Sequence, residues 1–550
     1  MWCNRTIQET WAPQPGGAGN PKPEIRNKFK LMKMGEQERG DRSISSQPAS
    51  NFDHCGVKPC SGRAFPASVS AAELPAPLSG AALLLHRICD RATEFLIYAM
   101  VVFSPWAFGA TQDWAIGVMN TGGYILGMLL LFKILSRRIT GCRPERWGRP
   151  QWSFFTCAML VCTMAVLGYC ALSGLNWRAT FTEETLQFQY REPITWLPHS
   201  YNRAATWSVF WGYLALACDF WAIRDWLLTK APEELGQDFA SRSAFAIPRR
   251  LQRLLWVLGI NGALLALEGF SQRMLGSSKL LWIIEPRINK SPEAQFGPYA
   301  YRSNAAQYML LLWPLILGFW WLLGGARSAR WARFRHYLLP CVLVMAMVPL
   351  ASLSRAGAVI GSASILVAIF VVLRFGAQKQ GAMIWGVSAL LAAGLLMGAF
   401  VEWELLSPRL EKLPLDSGRH EIWQNTWKIA KDFPLYGTGP GTFDAVYFLY
   451  RPAQKDSWAA QAHNDWLEFL VTFGIGGCVL LTLGLGLVLV SPLVEKRLTV
   501  PRVFFWLVYL GLANCLLFAA VDFPLQIYSV VFLFMLLCAV LTCVSRRRHT

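Results

Sequence analysis

The sequence predicts an all-α, polytopic membrane protein of about twelve transmembrane helices, with a large extracytoplasmic loop between helices 9 and 10. Three observations carry that expectation. Of 550 residues, 54% are hydrophobic and only 16% charged, against roughly 25% charged in soluble domains. Apolar runs of about 20 residues, enough to cross a hydrocarbon layer about 30 Å thick, recur from residue 94 to the C-terminus. Basic residues gather in alternate connections between those runs, as orientation signals do. The 25 Trp and 33 Phe suit a chain with many membrane–water boundaries.

In chain order, residues 1–85 are polar and rich in Pro, Gly and Ser. They read as a disordered cytoplasmic tail, and no apolar segment follows the early charges as a signal peptide would require. Residues 93–401 hold the first nine runs: 94–112, 115–135, 152–173, 204–228, 252–271, 305–325, 337–353, 355–374 and 382–401. The seventh and eighth are separated only by Ser352–Arg355. Residues 402–463 form the large loop, and 464–545 the last three runs, at 464–490, 503–521 and 525–544. Every even-numbered exit is basic: Arg137 to Arg149, Lys230 to Arg250, Arg327 to Arg335, Arg374 and Lys379, Lys496 to Arg502, and Arg546 to Arg548. By the positive-inside rule both termini are cytoplasmic in a multi-pass protein. The connections 174–203, 272–304, Ser352–Arg355, 402–463 and a short turn at Asp522 are then extracytoplasmic.

The net charge of +18 does not point to nucleic acid. The basic residues serve orientation, and no basic stripe interleaved with exposed aromatics falls on a soluble domain. Most of the 14 cysteines sit in apolar runs or near the N-terminus, so no structural disulfide is indicated. His54, Cys55 and Cys60 lack a second pair at zinc-site spacing.

Groups able to do chemistry concentrate between Ser417 and Gly477. Ile422, Thr426, Ile429, Ala430 and Phe433 recur at three- and four-residue steps, which predicts a helix capped by Ser417 and ended by Pro434 and Gly437. Such a helix would lie in the interface plane, apolar face down. Arg419 falls in its first turn, where a cation is poor for the helix but useful for gripping an anion. GTGPG, from Gly437 to Gly441, lacks the Lys-Ser/Thr of a phosphate loop and reads as a turn. His463 stands where the loop re-enters the membrane, followed by Asn464 and Asp465. A histidine with an ordinary pKa near 6.5 suits general-base work, and Asp465 or Glu468 could orient it. Arg355, in SLSRAG, and Arg302 with Asn304, in YRSNAAQYMLLLWP, lie at the same outer face. Several arginines beside a histidine suggest a diphosphate held next to a base. No extracytoplasmic Asp-x-Asp or His-x-x-x-His offers a metal site, so no cofactor or metal is expected.

At these residues the chain resembles the O-antigen ligase and polymerase family of bacterial envelope glycosyltransferases. The strongest element is H-N-x9-G-x-x-G, met by His463, Asn464, Gly474 and Gly477, with Cys478 where ligases often have Thr. RSNAAQYMLLLWP, SLSRAG, and Arg419, Trp423, Pro434 and Gly437 in that order support it. The resemblance implies metal-independent, inverting transfer or polymerisation of a glycan from an undecaprenyl-diphosphate carrier on the periplasmic face. The acceptor would be a glycan, a lipid A core or a protein. His463 would be the base. Arg302, Arg355, Arg419, Asn304 and Asn464 would bind the diphosphate or glycan, with Arg178 and Arg191 weaker candidates from the same face. The alternative is a secondary transporter or flippase of a polar or lipid-linked substrate, in which Asp219, Asn261 and Glu268 are the suspects. Against it, no inverted repeat is visible.

Overall fold

In the computed structural model of the chain, the described residues are 80–140, 146, 153–182, 185–231, 234, 248–324, 334–376, 381–411, 418–451, 459–494, 497–498 and 500–546. The expected tail lies outside them up to residue 79, as do His54, Cys55, Cys60, the Ser417 cap and much of the basic connections.

A helix occupies each of the twelve apolar stretches. They are α1 (Gly80–Trp106), α2 (Asp113–Thr140), α3 (Phe154–Leu175), α4 (Arg203–Leu228), α5 (Arg249–Met274), α6 (Arg302–Gly324), α7 (Leu338–Ala351), α8 (Arg355–Phe375), α9 (Gly381–Glu411), α12 (Asp465–Val494), α13 (Arg502–Phe518) and α14 (Tyr528–Cys543). Two more, α10 (Gly418–Asp432) and α11 (Phe443–Tyr450), lie between α9 and α12. Six helices, α2, α3, α5, α6, α8 and α12, are long and apolar enough to cross a membrane, and shorter apolar helices stand at α7, the first half of α9, α13 and α14. The protein is an all-α, multi-pass membrane protein in its main body.

Three features differ from the sequence-based expectation. Helix α1 begins at Gly80, inside the expected tail. Its third and fourth turns carry Asp90, outside the expected run, and Glu94, at its start, which pair with Lys133, Arg250 and Arg253 of neighbouring helices. Helix α9 runs on to Glu411, ten residues past the expected end at 401. The connection 176–202 holds a small antiparallel hairpin, β1 (Ala179–Thr182) on β2 (Gln187–Tyr190), with Ala179 opposite Tyr190.

Helix α6 is the axis of the bundle: its apolar window is wholly buried, against 17% for α12. Small residues let its neighbours approach. A Cβ on Gly511 of α13 would sit 2.7 Å from the Leu311 carbonyl, and one on Gly262 of α5 would meet the Leu312 side chain at 2.4 Å. Inside a membrane such close packing, rather than the hydrophobic effect, holds helices together. Asn514 of α13 adds hydrogen bonds to the Leu310 carbonyl (3.0 Å) and Ser364 Oγ of α8 (2.8 Å). Each is worth about 0.6 kcal/mol by comparison with other membrane helices.

The two ends of the bundle are finished differently. At one, Asp225 at the end of α4 takes both guanidinium nitrogens of Arg137 (2.8 and 3.0 Å) and one of Arg146 (2.6 Å). Lys133 lies 3.6 Å from both Asp225 and Asp90, and Arg250 pairs with Asp90. At the other end, α10 turns its apolar face inward. Ile429 and Ala430 join Ala179, Tyr201, Phe443, Tyr447 and Val471 in a small core of their own. The face expected to lie on lipid is therefore covered by the hairpin, α11 and the start of α12.

That cap is fastened to α12 through a break in the helix. Gly474 has φ +61° and ψ −173°, which interrupts the helix and leaves its backbone groups unpaired within it. The segment 434–439 fills the gap. Ile475 N–H donates to the Pro434 carbonyl (2.8 Å) and Gly476 N–H to that of Leu435 (3.0 Å). In return, Thr438 and Gly439 N–H donate to the carbonyls of Val471 (2.8 Å) and Thr472 (2.9 Å). A Cβ on Gly437 or Gly474 would come within 2.5 Å of the opposite backbone. Both positions therefore need glycine.

Candidate active site

The segment leading into α12 is clamped on every side. Trp423 Nε1 of α10 donates to the Ala462 carbonyl (2.9 Å), and Ala462 N–H donates to Glu468 Oε2 (2.7 Å). Asn464 Oδ1 accepts from Leu467 N–H (3.0 Å), which makes it the N-cap of α12. Between them His463 is held at φ +51°, in the left-handed region that a non-glycine residue adopts only when its surroundings impose it.

That conformation sends the imidazole toward the turn between α13 and α14. Nδ1 lies 3.0 Å from Asp522 Oδ1; the histidine side chain is 25% exposed and that of Asp522 1%. A carboxylate oxygen accepts, so the neutral imidazole places its proton on Nδ1 and presents its lone pair at Nε2. The carboxylate at the histidine is therefore Asp522, not Asp465 or Glu468. Those two brace the surroundings: Asp465 accepts from Leu525 N–H (2.8 Å) and Gln526 Nε2 (3.0 Å), fixing the turn that carries Asp522.

Asp522 Oδ2 accepts from Tyr301 Oη (3.2 Å), and Tyr301 Oη accepts from Arg419 Nη2 (3.2 Å). Arg419 Nη1 also donates to the Val521 carbonyl (2.8 Å). Burial and the neighbouring Asp522 push the Tyr301 phenol up to about 12, so it remains a donor at physiological pH. The Phe523 ring stacks on Tyr301 (5.7 Å between centroids) and meets His463 edge-on (5.0 Å). His463, Asp522, Tyr301 and Arg419 thus form one chain of contacts drawn from four distant parts of the sequence.

Arg302 and Arg355 are the first residues of α6 and α8. The two helix starts are tied by Ser303 and Ser354, whose hydroxyls lie 3.0 Å apart. Arg302 also donates to the Glu293 carbonyl (2.9 Å). Arg273 of α5 reaches the Gln295 and Ser352 carbonyls (3.1 and 3.4 Å), adding a cation that the sequence did not single out. Asn304 is buried, with no hydrogen-bond partner for Oδ1 among the described residues. Arg178 and Arg191 stack over Tyr201 and Trp177 of their own loop (5.3 and 5.2 Å). His420 pairs with Gln424 on the exposed side of α10.

Sequence reasoning missed Asp522 as the partner of the histidine and Tyr301 as the link from Asp522 to Arg419. A lone acid in the turn between two apolar runs marked Asp522, but nothing local names a partner 59 residues away. Among the described residues no three His, Cys, Asp or Glu side chains group as metal ligands; charge here is supplied by arginine.

A histidine–carboxylate pair linked to an arginine thus stands at one end of a multi-pass membrane bundle. Residues 340–482 match the family model described as O-antigen ligase, about a quarter of the chain. The match marks that stretch, and not the whole chain, as similar to the O-antigen ligase family. It takes in Arg355, Arg419 and His463, whereas Arg302 and Asp522 lie outside it. No curated protein matches the chain.

Proposed function

We propose that the protein transfers or polymerises a glycan from an undecaprenyl-diphosphate carrier to an acceptor hydroxyl, with inversion and without a metal. The end of the bundle that carries His463 faces the periplasm of a bacterial inner membrane, and the chain crosses that membrane twelve times with both termini cytoplasmic. The positive-inside rule supports this orientation, since Arg137, Arg146, Arg250 and Arg374 gather at the opposite end.

His463 Nε2 takes the proton of the acceptor hydroxyl as its oxygen forms a bond to the anomeric carbon. The bond from that carbon to the phosphate oxygen breaks with its electron pair, and undecaprenyl diphosphate leaves. Asp522 is a positioning residue: it fixes the tautomer and favours the imidazolium that forms. Arg302, Arg355 and Arg419 meet the charge that grows on the leaving diphosphate. Asn304 lies two residues after Arg302 on α6 and would take a glycan hydroxyl, whereas Asn464 acts on substrate only through the cap that sets His463. The observation carrying this reading is the His463–Asp522 pair at 3.0 Å, linked through Tyr301 to Arg419.

Replacing His463 by Ala, with membrane insertion verified, tests it. Carrier-linked glycan accumulates and transferred glycan disappears; wild-type transfer in that variant would refute the reading. The transporter alternative has two buried acids behind it, since both carboxylate oxygens of Glu268 and of Asp219 lack a hydrogen-bond partner among the described residues. Under that alternative, Glu268→Gln is the damaging change and His463→Ala is not.

A further inference from the structure

Helix α5 ends between the two segments that lead into Arg302 and Arg355. Arg273, in its last turn, uses one guanidinium nitrogen twice: Nη2 donates to the Gln295 carbonyl (3.1 Å) and to the Ser352 carbonyl (3.4 Å). Gln295 belongs to the loop that delivers Tyr301 and Arg302, and Ser352 to the turn that delivers Arg355. One side chain therefore joins two segments that are distant in sequence. Its fork is planar and permanently charged, so the two carbonyls are held in a set relation.

Both segments are stiff pieces in themselves. Gln295 is buried, and its amide is spent on its own surroundings: Nε2 donates to the Ser278 (3.0 Å) and Asn289 (2.7 Å) carbonyls, and Oε1 accepts from Gln272 Nε2 (3.4 Å). In the other segment Leu353 has φ +57°, a left-handed conformation that a residue other than glycine keeps only where its neighbours impose it. The turn is pinned on both sides of Leu353, the Ser352 carbonyl by Arg273 and the Ser354 hydroxyl by Ser303 Oγ at 3.0 Å. Ser354 Oγ also accepts from Gly357 N–H (3.2 Å) and so caps α8. Whatever moves the turn moves the start of α8, and Arg355 with it.

We propose that Arg273 is a positioning residue: by bridging the 295–301 loop to the 352–354 turn, it holds Arg302 and Arg355 at the separation a diphosphate needs. This rests on the role proposed above for those two arginines, whereas the bridge itself is measurable without it.

The Ser303 and Ser354 hydroxyls are close enough that cysteines in their places can be joined by a disulfide. The Ser303→Cys/Ser354→Cys protein in lipid nanodiscs is oxidised with copper phenanthroline, with and without Arg273→Ala. The unsubstituted protein is treated alike to account for its native cysteines. Without Arg273 the disulfide forms more slowly. Before oxidation, binding of undecaprenyl diphosphate, read by native mass spectrometry, is about tenfold weaker, the loss expected for one misplaced charge-assisted hydrogen bond. Once the disulfide has formed the affinity returns, and dithiothreitol takes it away again. A disulfide that forms without restoring affinity overturns the positioning role, and so does an unchanged cross-linking rate. Where Arg273→Ala fails to fold, Arg273→Lys, which keeps the charge but not the reach of the planar fork, is put through the same cycle. Slower cross-linking with unchanged affinity overturns instead the role given to Arg302 and Arg355.

Discussion

The two ends of the bundle both bury charge, but to different purposes. Around Asp225 and Asp90, four cations meet two carboxylates, with every member side chain 16% exposed or less. The groups face one another and tie α1, α2, α4 and α5 together. At the opposite end, Asp522 is as deeply buried, yet its partners are a phenol and an imidazole that remains open to the outside. The first arrangement turns its charges on one another. The second leaves Nε2 of His463 unused and arginines at its rim, which is what a reaction needs. Burying ions is not in itself a sign of function; the sign is a buried carboxylate that holds a reachable base.

That contrast can be broken by substitution. His463→Ala lowers transfer by about 10²- to 10⁴-fold, the usual contribution of a general base. Its thermal unfolding stays at the wild-type value. Asp225→Ala does the reverse. It strands Arg137 and Arg146 without their carboxylate, leaves Lys133 with Asp90 alone, and costs about 3–5 kcal/mol of stability, read as lost yield and a lowered unfolding temperature in detergent. Whatever folds retains its turnover per molecule. Gly474→Ala combines a strained φ with a clash against the 435–437 backbone, and destabilises the cap by about 3 kcal/mol or more. Limited proteolysis of the 434–451 region reads this directly. Asn464→Ala removes only a helix cap and costs about 1 kcal/mol. If it instead abolishes binding of carrier lipid while stability is unchanged, Asn464 contacts substrate itself.

The helices were legible because an apolar run of membrane length is the strongest pattern a sequence carries, and the positions of all twelve followed from it. Their ends were not. The charged third and fourth turns of α1 mask a helix whose acids find partners only after folding. The hairpin at 179–190 does alternate, with Ala179 and Phe181 opposite Tyr190 and Phe188 on one face, but two strands of four residues are too short to stand out from a loop. At the site, His463 and the arginines stood out by residue type and by the side of the membrane they share. Asp465 looked like the partner of the histidine through adjacency, but a residue that starts a helix points away from the one before its cap. Gly437 and Gly474 were visible as a turn and a motif; that each makes room for the other is a tertiary fact.

Coupling between His463 and Asp522 is the central claim, and a double-mutant cycle on in vitro transfer measures it. The purified protein is assayed as wild type, His463→Ala, Asp522→Asn and the double variant, with thermal unfolding checked for each. If Asp522 acts by holding the base, Asp522→Asn is strongly impaired alone, and adding it to His463→Ala changes nothing further. If the two losses instead multiply, Asp522 works independently of His463, and the histidine–carboxylate account is wrong.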